Sequence, residues 1–197
     1  MHDVPQLGDA LPLVATGPGW LAAALADLDS VHADHLHCER KAAQSALSLI
    51  RSYPERGDLV AAMARLAHDE TRHVVQVAQL MARRGQPAGY DHGDDYAAAL
   101  RAHIRVREPD RLLDRLLVFA IIEGRSAERL GLLAGALDDR KSRELYASLA
   151  AAELRHRDMF LALARDAAPP AWRARAAELA GLEAGILAGR AVTARIH

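Results

Sequence analysis

Two short stretches decide the fold of this chain: Glu70-Thr71-Arg72-His73 and Glu153-Leu154-Arg155-His156. Three residues along an α-helix turn through about 300°, so each Glu and His share one face, about a turn apart, and can reach a common point. A single Glu-x-x-His carries little information, since ten Glu and ten His in 197 residues give about 0.5 such pairs by chance. The context carries more. The separation of Glu39 from Glu70 matches that of Glu123 from Glu153 to within a single position. The triplet Glu39, Glu70, His73 therefore repeats as Glu123, Glu153, His156 at an almost constant offset along the chain.

Working outward, each motif sits deep in a helical pattern. The chain is rich in Ala, Leu and Arg, with aromatics at 4%, a composition of strong helix formers. No segment alternates with period two over a useful length, so the fold class read here is all-α. Residues 1–17 read as an irregular arm. Long helices are expected over about residues 18–53, 58–84, 109–137 and 139–166, and a last helix over about 171–189. A short helical piece is expected near residues 96–104. Pro54 with Gly57, and Gly85 with Pro87, stop the first two long helices, and Asp58 is the expected N-cap of the second. The first two helices and the next two are joined by short turns and should form antiparallel hairpins. Residues 85–109 are long enough to cross the bundle. Two hairpins with one long crossover is the ferritin-like four-helix arrangement, here as a single domain spanning residues 1–197 with an additional C-terminal helix.

In that arrangement the doubled triplet has a chemical meaning. One Glu from each of two helices and Glu-x-x-His from each of the other two is the ligand set of di-iron and di-manganese carboxylate bundles. Glu39, Glu70, His73, Glu123, Glu153 and His156 are thus the candidate metal ligands. Four buried carboxylates repel one another and take up protons unless cations compensate them. Oxygen-rich ligation with two imidazoles suits iron, with manganese as the alternative. Taken singly, each of these residues reads as part of a solvated helix face. Repetition at matched spacing overrides that reading, as does the apolar run of residues 116–122 immediately before Glu123. His35, one helical turn before Glu39, could approach the metals but is rather expected at the surface or behind a ligand, and these last are the two places left open for it. Glu128 is out of helical register with Glu123 and is expected to pair with Arg125 or Arg129.

The formal net charge is −1, so a polyanion would have to meet a local basic patch. Arg83 and Arg84 end the second helix, while Arg101, His103, Arg105, Arg107, Arg111 and Arg115 fall in the crossover and the start of the third. They form either a phosphate-contacting surface or a mixed-charge face paired with Glu108, Asp110 and Asp114. Cys38 is the only cysteine, which excludes an internal disulfide and a thiolate-bound iron–sulfur cluster, and fits a reducing cytoplasm. The stretch from Met1 to Gly19 lacks the basic start and apolar run of a secretory leader, and no apolar run approaches a membrane span.

Four longer segments resemble a known family. They are Asp34-His35-Leu36-His37-Cys38-Glu39-Arg40-Lys41-Ala42-Ala43, Asp69-Glu70-Thr71-Arg72-His73, Ile122-Glu123-Gly124-Arg125-Ser126-Ala127-Glu128-Arg129, and Tyr146-Ala147-Ser148-Leu149 followed by Glu153-Leu154-Arg155-His156. Together they are similar to the bacterial tRNA-(2-methylthio-N6-isopentenyladenosine) hydroxylases. The chain departs at Gly124, where the family pattern has a small alanine; glycine is expected to widen the space beside Glu123. The resemblance implies a non-haem di-iron monooxygenase with O2 as co-substrate, acting on the isopentenyl group of a modified adenosine next to the anticodon, with all six ligands serving the metals. No dinucleotide-binding glycine fingerprint is present, so an external reductase or ferredoxin is expected as electron donor. The rival expectation is another ferritin-like oxidase, peroxidase or ferroxidase that does not act on tRNA.

Overall fold

The computed structural model describes residues 7–197, all in helices, turns and loops. A 3₁₀ turn at Leu7–Ala10 is followed by α1 (Pro18–Ala26), α2 (Leu28–Ser52), α3 (Gly57–Arg83), α4 (Asp95–Arg101), α5 (Asp110–Ala136), α6 (Arg140–Ala167) and α7 (Trp172–Ala188). Residues 1–6 of the expected arm lie outside the described residues. Among the described residues there is no strand, and no helix is long and apolar enough to cross a membrane.

Where one helix was expected over 18–53, the chain breaks at Asp27. Its backbone leaves the helical region, and its carboxylate accepts from the Ser30 amide at 3.1 Å and the Ser30 hydroxyl at 2.7 Å. A side chain that satisfies an orphan amide of a new helix makes a restart as favourable as continuation. Asp58 is not the cap of α3; it lies in the first turn, where its charge complements the helix dipole. Asp94 and Asp139 do cap α4 and α6, accepting from the Ala97 and Ser142 amides at 2.9 and 2.8 Å.

Helices α2 and α3 form one antiparallel hairpin and α5 and α6 the other. The chain between α3 and α5 runs the length of α2. Gln86 meets His32 and Asp29 near the start of α2, Asp91 meets Arg40 at its middle, and Glu108 meets Tyr53 at its end. It therefore crosses the bundle from one end to the other, as the two-hairpin topology requires. Helix α7 and the arm pack against the outside of α5 through a buried ion pair. Arg125, wholly buried, meets the equally buried Glu183 of α7 at 2.8 Å and also engages Glu128, Thr16 and the Val14 carbonyl. The pairing of Glu128 with Arg125 matches the sequence reading.

The apolar interior is divided into two. One half, around Leu49, Met63, Leu116, Leu117 and Phe160, fills the end near Tyr53. The other, around Trp20, Val31, Val77, Leu130, Tyr146 and Leu149, fills the opposite end. The division follows from helical register. On α3 the inward stripe reads Leu66, Glu70, His73, Val77, and on α6 it reads Leu149, Glu153, His156, Phe160. Stripes at this spacing face the core, so polar residues within them form a layer between two apolar halves.

Candidate metal centre

All six residues singled out from the sequence lie in that layer, between 0 and 6% exposed. Helix α2 contributes Glu39, α3 contributes Glu70 and His73, α5 contributes Glu123, and α6 contributes Glu153 and His156. Their donor atoms form two groups of four: Glu39, Glu70, His73 and Glu153, and Glu70, Glu123, Glu153 and His156, each with its atoms within 4.8 Å of one another. Glu70 and Glu153 belong to both groups. Two overlapping donor groups of this kind are compatible with a metal site.

Within the first group, His73 Nδ1 is 3.4 Å from Glu39 Oε2, from Glu70 Oε2 and from Glu153 Oε1. In the second, His156 Nδ1 is 2.9 Å from Glu70 Oε1 and 3.6 Å from Glu153 Oε2. These are close approaches without hydrogen-bond geometry: both Glu70 oxygens, Glu153 Oε1 and both Nδ1 atoms are buried with no hydrogen-bond partner. Buried polar atoms are nearly always satisfied, so five orphans facing a common space mark a place for something else. Two divalent cations balance four carboxylates, and the carboxylate–imidazole donor set suits iron or manganese. The residues present fit the group.

The electrostatics agree. Burial, and then the charge of Glu153 and the contact with Glu39, push Glu70 up to about 8. Burial and Glu153 also raise Glu123 well above the usual carboxylate range. Burial opposes the charged imidazoles, but the surrounding carboxylates outweigh it, Glu153 first, and hold His73 up to about 12 and His156 up to about 10. Glu153 is held low despite its burial, by Glu123 and the two imidazoles. Without cations the layer neutralises itself by protonation, as like charges at this separation must.

Behind the donor atoms, His35 Nε2 meets Glu39 Oε1 at 2.6 Å, and its ring stacks on Tyr146 at 5.8 Å. Of the two places left open for His35, the structure takes the one behind a candidate ligand. A partner of this kind orients a ligating carboxylate. Gly124 does not leave open space: a Cβ there would stand 3.0 Å from Leu13 Cδ1 of the arm and 3.4 Å from Arg157 Cδ. The missing methyl lets the arm lie close against α5.

The basic residues are not brought together. Arg84 reaches Asp29 at 3.3 Å, at the end of the bundle where α2 begins, and Arg83 adjoins it. Arg115 lies over the Tyr53 ring at the other end, about 40 Å away by the length of α3. Arg105 is clamped on buried Asp114 through its amide, Nε and Nη2, at 2.8–2.9 Å, and on Asp110 at 3.0 Å. His103, Arg107 and Arg111 are exposed nearby. Arg101, at the end of α4, lines a cavity that reaches Glu123.

Sequence reasoning missed His197. It is buried, its Nε2 lies 2.8 Å from Ser126 Oγ, and its Nδ1 lies 3.4 Å from Cys38 Sγ and 3.5 Å from Asp94 Oδ2. No local pattern could have signalled a contact made across 159 residues of chain.

Comparison with known proteins agrees with this geometry. Residues 9–197 match the profile of the tRNA-(MS2IO6A)-hydroxylase (MiaE) family. A tRNA 2-(methylsulfanyl)-N(6)-isopentenyladenosine(37) hydroxylase of Pseudomonas putida is 42% identical over 179 residues, covering 91% of this chain and 86% of that protein. The enzyme of the same name from Salmonella typhimurium is 31% identical, covering 67% of this chain and 66% of that one. Among solved structures, a Synechococcus protein described as having aldehyde deformylating oxygenase activity superimposes with a TM-score of 0.89 at 37% identity, over 94% of both chains. A ferritin-like bundle with paired Glu/His groups at its middle, and a profile match from residue 9 onward, place this chain in the MiaE family of tRNA hydroxylases.

Proposed function

We propose that this protein hydroxylates the isopentenyl group of 2-methylthio-N6-isopentenyladenosine next to the anticodon of tRNA, using two iron ions held by Glu39, Glu70, His73, Glu123, Glu153 and His156. The observation that carries this reading is the pair of overlapping donor groups at the middle of a bundle whose whole length matches the hydroxylase family. Glu39 and His73 would help hold one ion and Glu123 and His156 the other, with Glu70 and Glu153 belonging to both donor groups. Iron bound there would supply oxygen activation, with two electrons from an external reductase or ferredoxin and two protons carrying the second oxygen atom to water.

The remaining tasks fall to the chain. Apolar layers on either side keep bulk water from the centre, which strengthens every charge interaction within it. His35 holds Glu39 in one orientation. No separate acid–base residue is needed beside the six ligands. The modified adenosine must leave its stack for its side chain to reach so deep a site, and the protein acts in the cytoplasm, where tRNA is found.

Purified protein, loaded anaerobically with ferrous iron and supplied with a reductase, should convert the prenylated adenosine of tRNA to its hydroxylated form, read by nucleoside mass spectrometry. Deletion of the gene should remove that one nucleoside from bulk tRNA. A second reading, an oxygenase acting on aliphatic aldehydes, is favoured by the description of the structural neighbour. Turnover of a long-chain aldehyde with no action on prenylated tRNA would select it.

A further inference from the structure

Two small cavities adjoin one another beside the centre. The outer one, about 40 Å³, has Lys41 and the exposed Arg101 among its walls and is otherwise lined largely by Ala42, Ala97, Phe119 and Ile122. The inner one, about 30 Å³, touches Glu39, Glu123 and Glu153. Both are lined by Cys38, Ala42, Ile122, Glu123 and His197, and of these only His197 lies outside a helix. Neither holds a branched five-carbon chain, since a cavity of about 150 Å³ is what accommodates benzene. The walls they share must move before such a chain can reach the centre.

We propose that His197 is the gate of this passage: its imidazole separates the two cavities and must swing aside to admit an apolar, branched side chain whose nucleotide backbone remains at Lys41 and Arg101. This rests on the hydroxylase reading above. The segment after α7 can move only by releasing a defined set of contacts. Residues 190–197 are not helical, and they are held by hydrogen bonds and by Ile196, which is wholly buried. Trp20 Nε1 donates to the Arg195 carbonyl at 2.8 Å, and Arg129 Nη1 donates to the Ile196 carbonyl at 2.9 Å. The Ile196 amide and Arg195 Nε donate to Asp34 at 2.7 and 2.8 Å. His197 stacks on Tyr96 at 5.3 Å. Surface clefts of about 450 and 530 Å³ border the segment, so it can shift without displacing a packed helix. At the mouth, Lys41 Nζ makes no hydrogen bond and meets Asp91 and Asp94 only at 3.5 and 3.9 Å. That leaves it able to exchange a carboxylate for a phosphate.

Cys38 makes the gate measurable without metal or turnover, because it is the only thiol in the chain and borders both cavities. Cys38 is half-buried, so alkylation of the unaltered protein by iodoacetamide sets the baseline rate. It should quicken by about tenfold or more in His197→Ala and after removal of residues 191–197, as expected when a closed local state is replaced by an open one. Ser126→Ala frees the far nitrogen of the ring while leaving the imidazole beside the thiol, and should also quicken labelling. Wild-type rates in His197→Ala and the truncated protein, with helical circular dichroism intact, overturn the gate. So does acceleration in His197→Ala with none in Ser126→Ala, which reduces the effect to loss of a neighbour. Should the truncated chain not fold, the two point variants decide. Free isopentenyladenosine should then slow labelling of His197→Ala by filling the joined cavities. Acceleration without such protection keeps the gate and removes the prenyl chain as what passes it.

Discussion

Glu70 and His156 differ in what they serve, and single substitutions should separate them. Glu70 belongs to both donor groups, so Glu70→Ala should lower iron from about two per chain toward none, measured by metal analysis after anaerobic loading. His156 belongs to one, and His156→Ala should retain one ion and lose activity. Stability should move the other way. In the metal-free protein Glu70 is a buried carboxyl with neither oxygen hydrogen-bonded, and Glu70→Gln should raise the unfolding free energy or leave it unchanged. A buried charge with a partner behaves differently. Arg125→Ala strands Glu183 in the interior and should destabilise by about 3–5 kcal/mol, while Arg125→Met with Glu183→Leu should recover most of the loss, both read from urea unfolding.

At the scale of an element, the break between α1 and α2 rests on one carboxylate. Asp27→Ala should lower stability by about 1 kcal/mol. The Ser30 hydroxyl, and then the Ser30 amide, hold the Asp27 carboxyl below its ordinary value of 3.8. A depressed carboxylate contributes fully above its unfolded value and loses that contribution as pH falls through the folded one. The gap between wild type and Asp27→Ala in urea midpoint should therefore narrow below about pH 4. The end of the crossover has its own clamp: buried Asp114 takes Arg105 from the connection and Arg175 from α7. That clamp makes Arg105 a structural residue where the sequence left it open as a phosphate contact.

For the molecule as a whole, separating the two arginine groups by the length of the bundle leaves no single basic face among those residues. On the proposal above, tRNA would be met at the mouth of the passage to the centre, where Arg101 and Lys41 stand. Arg101→Ala should weaken tRNA binding and reduce the slope of log affinity against log salt by about 1. Arg105→Ala should leave that slope unchanged and lower the melting temperature. Ferrous iron should raise the melting temperature of wild type and have no such effect on Glu70→Ala, because a ligand that binds only the folded state stabilises it by mass action.

What the sequence by itself determined is what helical periodicity transmits. Glu and His three apart on a helix share a face whatever surrounds them. The recurrence of Glu39, Glu70 and His73 as Glu123, Glu153 and His156 therefore announced two equivalent hairpins and a common interior point. The family resemblance named the chemistry from the same residues. The tertiary structure alone decided how the donor atoms overlap, which arginines are tied to carboxylates, and that Arg125 and Glu183 meet inside the bundle. It also decided that His197 closes on Cys38 and Ser126. The Arg125–Glu183 contact and those of His197 join residues from 58 to 159 positions apart, and no local rule ranks such partners, because close packing of separate elements selects them only once the whole chain has folded.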